Sequence, residues 1–86
     1  MMNELKAELE KLARLEEIAN HAEADYEREP ENREFEELFD KAYQNENDAF
    51  MAVSELIVKI TSGQIDMKTA REMVRTKRSE ILNIVA

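Results

Sequence analysis

Eight residues in the middle of this chain, Phe35, Phe39, Ala42, Glu46, Ala49, Val53, Leu56 and Ile60, follow one another at steps of four and three without a miss. That spacing is a helical seam with a period of 3.5 residues, the kind that packs along a neighbouring helix. Glu46 is its only charged member. A seam this long fixes the architecture and leaves little room for an active site.

Two breakers frame it. Proline lacks an amide hydrogen and disfavours helix in the residue before it, yet fits a first helical turn, so Pro30 is expected to open the seam helix. Glu31, Asn32 and Glu34 follow, and acids suit a helix N-terminus. At the far end Thr61-Ser62-Gly63 reads as a stop, with Gly63 free to take the left-handed closing conformation. The pattern upstream is Met2, Leu5, Leu9, Leu12, Leu15, Ala19, Ala22 and Tyr26, with Ile18 alongside and Asn3 as candidate cap. Downstream, Asp66 caps a segment carrying Met67, Ala70, Met73, Val74, Ile81, Ile84 and Val85. The chain therefore predicts helices at 3–28, 31–62 and 66–84 in one domain spanning 1–86. One Gly, one Pro and 37% charged residues fit long surface helices better than sheet. The polar stretch Gln44-Asn45-Glu46-Asn47-Asp48 argues for a loop. Ala42 and Ala49 stay in phase across it, so a continuous helix is the preferred reading.

The pairing follows from the two turns. Folding helix one on helix two matches residues whose numbers sum to about 61: Tyr26 with Phe35, Ala22 with Phe39, Ala19 with Ala42, Leu12 with Ala49, Leu5 with Leu56. Large residues often meet small ones there, as dense packing requires. Helix three would set Met67 against Ile60, Val74 against Val53, and Ile84 or Val85 against Ala42. The expected fold is all-α, an antiparallel helical hairpin with a third helix laid back along it as a three-helix bundle. Its helices are unequal, about 45 Å for the second and about 30 Å for the third at about 1.5 Å per residue. The end near Pro30 is left with two helices under Ile18, Tyr26, Phe35, Leu38 and Phe39. Uncovered apolar surface of that kind marks a homodimer seam or a docking surface. Closure of the bundle tip by Tyr26, Phe35 and Phe39 is the alternative.

Glu46 is the misfit of the seam. A polar seam residue can fix register at a cost in stability, and Lys77 or Arg78 is its expected ion-pair partner. The alternative is a solvated Glu46 at the bundle edge. Lys68, Arg71, Arg75 and Arg78 form a basic stripe along helix three that could follow a phosphate backbone. No aromatic or amide group is interleaved to read bases, so nucleic acid is an improbable partner.

Net charge is −8, unevenly spread. Residues 16–48 hold thirteen acids and three bases, a net −10, whereas residues 66–86 hold five bases and three acids, a net +2. The acidic part repels nucleic acid and anionic membrane, and also keeps a small protein soluble. There are no cysteines, which excludes disulfides and thiolate metal sites. No apolar run approaches the roughly 20 residues that span a bilayer. The start, Met1-Met2-Asn3-Glu4, lacks the basic and apolar regions of a signal peptide. A cytoplasmic location is the expectation.

Catalytic chemistry finds little support. His21 lies four residues from both Glu17 and Asp25, a weak divalent-metal pattern better explained as a solvated cluster. Paired carboxylates such as Glu16-Glu17 and Glu36-Glu37 have no cleft to shift one of them. Ser54, Ser62 and Ser79 have no histidine that spacing would place beside them, and there is no glycine-rich phosphate loop. The expected protein is non-catalytic, without cofactor or metal, acting through protein contacts and self-association. The alternative is an acidic inhibitor or nucleic-acid mimic that blocks a basic groove on a nucleic-acid-binding enzyme.

Overall fold

A computed structural model describes residues 2–85; Met1 and Ala86, the ends of the expected domain, lie outside them. Its regular elements are all helical: α1 Met2–Arg28, α2 Arg33–Ile60, α3 Met67–Thr76, a single 3₁₀ turn Arg78–Glu80, and α4 Ile81–Val85.

The ends of these helices follow from local chemistry. Helix α1 already includes Asn3, which is therefore not its cap. It stops ahead of Pro30, and Asn32 rather than Pro30 opens α2. The Asn32 Oδ1 accepts from the amides of Glu34 at 3.0 Å and Phe35 at 3.3 Å, satisfying donors that have no partner within the helix. Helix α2 runs unbroken through Gln44–Asp48. Ala42 and Ala49 are buried on either side of that stretch, and tertiary burial outweighs its weak helix propensity. At the far end Gly63 takes φ +82° and Ser62 φ +53°. The Gly63 amide donates to the Val58 carbonyl at 2.9 Å, closing the helix as the sequence predicts. Asp66 caps α3 by accepting from the Thr69 amide at 2.8 Å.

The third helix departs from expectation. Instead of running to residue 84, α3 is 10 residues long, about 15 Å, and ends at Thr76. Lys77 leaves the helical region at φ −132°, ψ 31°. The chain makes the 3₁₀ turn and doubles back as α4, so the described residues form four α-helices. Ile84 and Val85 share a surface pocket with Ile60 and Ile65 beside the Gly63 turn, not with Ala42. The reason lies in Arg75-Thr76-Lys77-Arg78-Ser79-Glu80, six polar residues in a row. A continued helix would have laid a polar face on α2. Reversal instead buries Ile81 completely.

The molecule measures 46 × 19 × 19 Å. Helices α1 and α2 are each about 40 Å long and pack side by side, α3 packs on α2, and α4 packs on α1. One buried cluster joins Leu5, Leu12, Ala49, Val53, Leu56, Ile57, Ala70, Met73, Val74 and Ile81. A fully buried aliphatic side chain contributes about 1.5–3 kcal/mol, so this end holds the fold together. Beyond it, towards Pro30, Ala19 and Ala42 are buried but stand outside that cluster.

Candidate functional site

Tyr43 and Ser54 lie eleven residues apart on α2, three turns, and so share one face. Ser54 is fully buried, with its hydroxyl donated to the Phe50 carbonyl at 2.9 Å. Tyr43 is 61% exposed. The difference is the end of α3: the same face of α2 is covered before Thr76 and bare after it.

The bare stretch is aromatic. Tyr26 of α1 stacks on Phe39 of α2 with ring centroids 5.7 Å apart and planes 20° apart. Phe39 meets Tyr43 edge-on at 6.3 Å. Sequence pairing set Tyr26 against Phe35. The stacking partner lies one turn further along, and Phe35 is half-buried next to the Asn32 cap. Edge-to-face and offset stacks of this kind add about 0.5–1.5 kcal/mol to area burial.

At the border between covered and bare surface lies a notch of about 230 Å³, lined by Glu16, Tyr43, Glu46, Asn47, Phe50, Arg75 and Arg78. The Arg78 guanidinium engages both carboxylate oxygens of Glu16, with Nη2 to Oε2 at 3.0 Å. Its Nε donates to the Val74 carbonyl at 3.1 Å, one of the acceptors freed where α3 ends. The Arg75 guanidinium lies over the Phe50 ring at 5.1 Å. The expected pair of Glu46 with Lys77 or Arg78 is thus replaced by Glu16–Arg78, because the reversal at Lys77 turns Arg78 towards α1. Glu46 remains half-buried nearby. Burial pushes its carboxyl above the ordinary value, Glu16 and Glu23 push the same way, and Arg78 only partly offsets them.

The sequence-derived candidates are divided by the fold. Of the basic stripe, Arg75 and Arg78 are held by Phe50 and Glu16, Arg71 is half-buried, and Lys68 is exposed. Lys77 is exposed at the bend. Ile18 and Leu38 are more than half exposed, but not beside the aromatics. Helical phase puts them with Lys11, Leu15, Asn45 and Ala52, whose pocket lies on the other side of the α1–α2 pair. His21 and Glu17 are exposed, and Asp25 is tied to Arg28 at 2.9 Å. Sequence reasoning missed Tyr43 and Glu23, and it took Glu16 only as one of a pair of carboxylates without a cleft. One available signal was the spacing of Phe50 and Tyr43, seven residues apart just beside the seam.

Comparison with protein-family models, with curated proteins and with solved structures finds no match for this chain. Among the described residues no helix is long and apolar enough to cross a membrane.

Proposed function

We propose that this chain is a non-catalytic cytoplasmic protein that acts through protein–protein contacts made at its two-helix end. In this reading the paired α1 and α2 are a coiled-coil-like hairpin, and the shorter elements are a clamp that stiffens one end of it. The observation that carries the proposal is Tyr43, exposed beside the Tyr26–Phe39 stack where α3 stops. Stacked rings with an exposed flank are the kind of anchor that protein interfaces use, because aromatic side chains lose little conformational freedom on docking. Capture of partners from the source cells by wild-type protein and by Tyr43→Ser and Phe39→Ser variants tests it. Loss of the same partner in both variants is expected; capture unchanged in both sinks the reading.

Self-association through this end is the simplest form of the proposal, and light scattering across a dilution series measures it. Charge opposes a tip-to-tip dimer, since each copy would bring the net −10 of residues 16–48. A homodimer therefore needs a staggered arrangement, with the +2 segment of each copy near the acidic end of the other.

The second reading is an acidic inhibitor or nucleic-acid mimic that presents these carboxylates to a basic groove. It is favoured by the long run of solvated acids on both helices around the Pro30 turn. Its mark is tight binding to a nucleic-acid-binding enzyme that weakens steeply with salt. Affinity that is level across ionic strength excludes it.

A further inference from the structure

We infer that the groove between α1 and α2 beyond Arg78 receives a basic amphipathic helix of another protein, docked end to end with α3. The inference rests on the docking reading above and names the chemistry of the partner.

The protein's own α3 is the template. Packed on α2, it buries Ala70, Met73 and Val74 in the core cluster, lays Arg75 over Phe50, and is followed in the 3₁₀ turn by Arg78 on Glu16. One heptad towards the Pro30 turn the same furniture recurs. Ala49 and Phe50 on α2 are followed by Ala42 and Tyr43, and Leu12 and Glu16 on α1 by Ala19 and Glu23. Seven residues are close to two full turns, so each second member faces the way its first member does. Ala19 and Ala42 make a floor of small residues on which another helix can approach closely. Tyr43 offers the ring and Glu23 the carboxylate that α3 does not reach.

Charge selects the occupant. Arg78 is the only arginine or lysine lining the notch whose charge is taken up by a carboxylate, and that carboxylate is Glu16. Glu46 is left among carboxylates: burial raises its carboxyl first, Glu16 and Glu23 push the same way, and Arg78 only partly offsets them. An incoming helix with cations along one face meets this surplus of carboxylates, with one cation over the Tyr43 ring as Arg75 lies over Phe50. A second copy is poorly suited, because its own basic helix already has its apolar face buried. From Tyr43 to Phe35 the groove runs about 12 Å, so two to three turns of helix fill it.

The probe is a synthetic helix-stabilised peptide with arginines at i and i+3 beside an Ala-Val-Met stripe, added to the full chain. Backbone amide spectra are expected to shift at Ala19, Glu23, Phe39 and Tyr43. Affinity should fall about five- to tenfold in Tyr43→Ser and in Glu23→Lys, both exposed positions that leave the core intact, and stay level in Leu38→Ser. Equal binding of a peptide with both arginines replaced by glutamine overturns the inference, as do shifts confined to the outer face of α3. A peptide-free dimer that Tyr43→Ser dissociates also overturns it, by making a second copy the occupant. A cellular partner that depends on Tyr43 but brings no basic helix defeats this inference and leaves the docking reading standing.

Discussion

Arg78 and Glu16, 62 residues apart in sequence, join through two hydrogen bonds that fasten the end of α3 to α1. The same guanidinium closes a free carbonyl of α3 at Val74. The pair therefore sets where the three-layered part of the molecule ends. It decides which aromatic residues on α2 are left bare.

Replacing Arg78 by Met should destabilise the protein by about 1 kcal/mol. Both side chains are about a third exposed, so solvent screens the pair and the loss stays well short of a buried ion pair. Urea denaturation of Arg78→Met, Glu16→Gln and the double variant checks this. The two effects should be non-additive, with the double variant close to Arg78→Met alone. Simple additivity would mean that the residues act separately.

Glu46 should make the protein less stable at neutral pH than a Glu46→Gln variant. Its folded-state pKa is raised above the ordinary 4.5, first by burial and then by Glu16 and Glu23. A raised carboxyl contributes stability that is fully present below 4.5 and lost as pH rises through the folded value. The stability gap between wild type and Glu46→Gln is therefore expected to open as pH climbs above 4.5 and to close below it. Thermal unfolding of both proteins across that window is the measurement, and a gap that widens towards acid contradicts the assignment.

Asp66 works in the opposite sense. Its pKa is lowered from 3.8 by the hydrogen bond from the Thr69 amide at the start of α3. The cap contributes stability above 3.8, which is lost as pH falls through the folded value. Asp66→Ala should lower the melting temperature at pH 7, and Asp66→Asn should restore part of it, because Asn caps a helix without charge. An Asp66→Ala protein that melts like wild type at pH 7 removes the cap from the account.

Ile81→Ala tests the reversal of the chain. Ile81 is fully buried in the Leu5–Leu12–Val74 cluster, so its truncation should cost about 2–5 kcal/mol. A helix continued to residue 84 would instead have carried Ile81 towards the sparsely covered end and made the loss small. Tyr43→Ser, on the bare face, loses only the edge-on contact with Phe39 and should cost about 0.5–1.5 kcal/mol, less than Ile81→Ala. Chemical denaturation of the two variants side by side separates the cases.

The sequence alone determined the long elements and their ends. Periodic apolar residues, the Asp66 cap, the Gly63 stop and the break before Pro30 are local signals, each acting within a turn or two of chain. They place α1, α2 and the start of α3 within two residues of the structure. The continuity of α2 through Gln44–Asp48 was legible too, because Ala42 and Ala49 hold the phase. The candidate site was legible only in part: Tyr26 and Phe39 could be picked out, but Ile18 and Leu38 were grouped with them although they face another side.

Tertiary structure decided the rest. Nothing in Arg75–Glu80 is a breaker in the sense that Pro30 or Gly63 is. The helix ends there because a polar face has nothing to gain on α2, while Ile81 and Arg78 find partners on α1. That choice depends on residues more than sixty positions away, which no local pattern can report. It shortened α3, uncovered Tyr43 and moved the expected Glu46 pair to Glu16. Where the third helix stops is a matter of packing and charge across the molecule, and the exposed Tyr43 beyond it is the consequence.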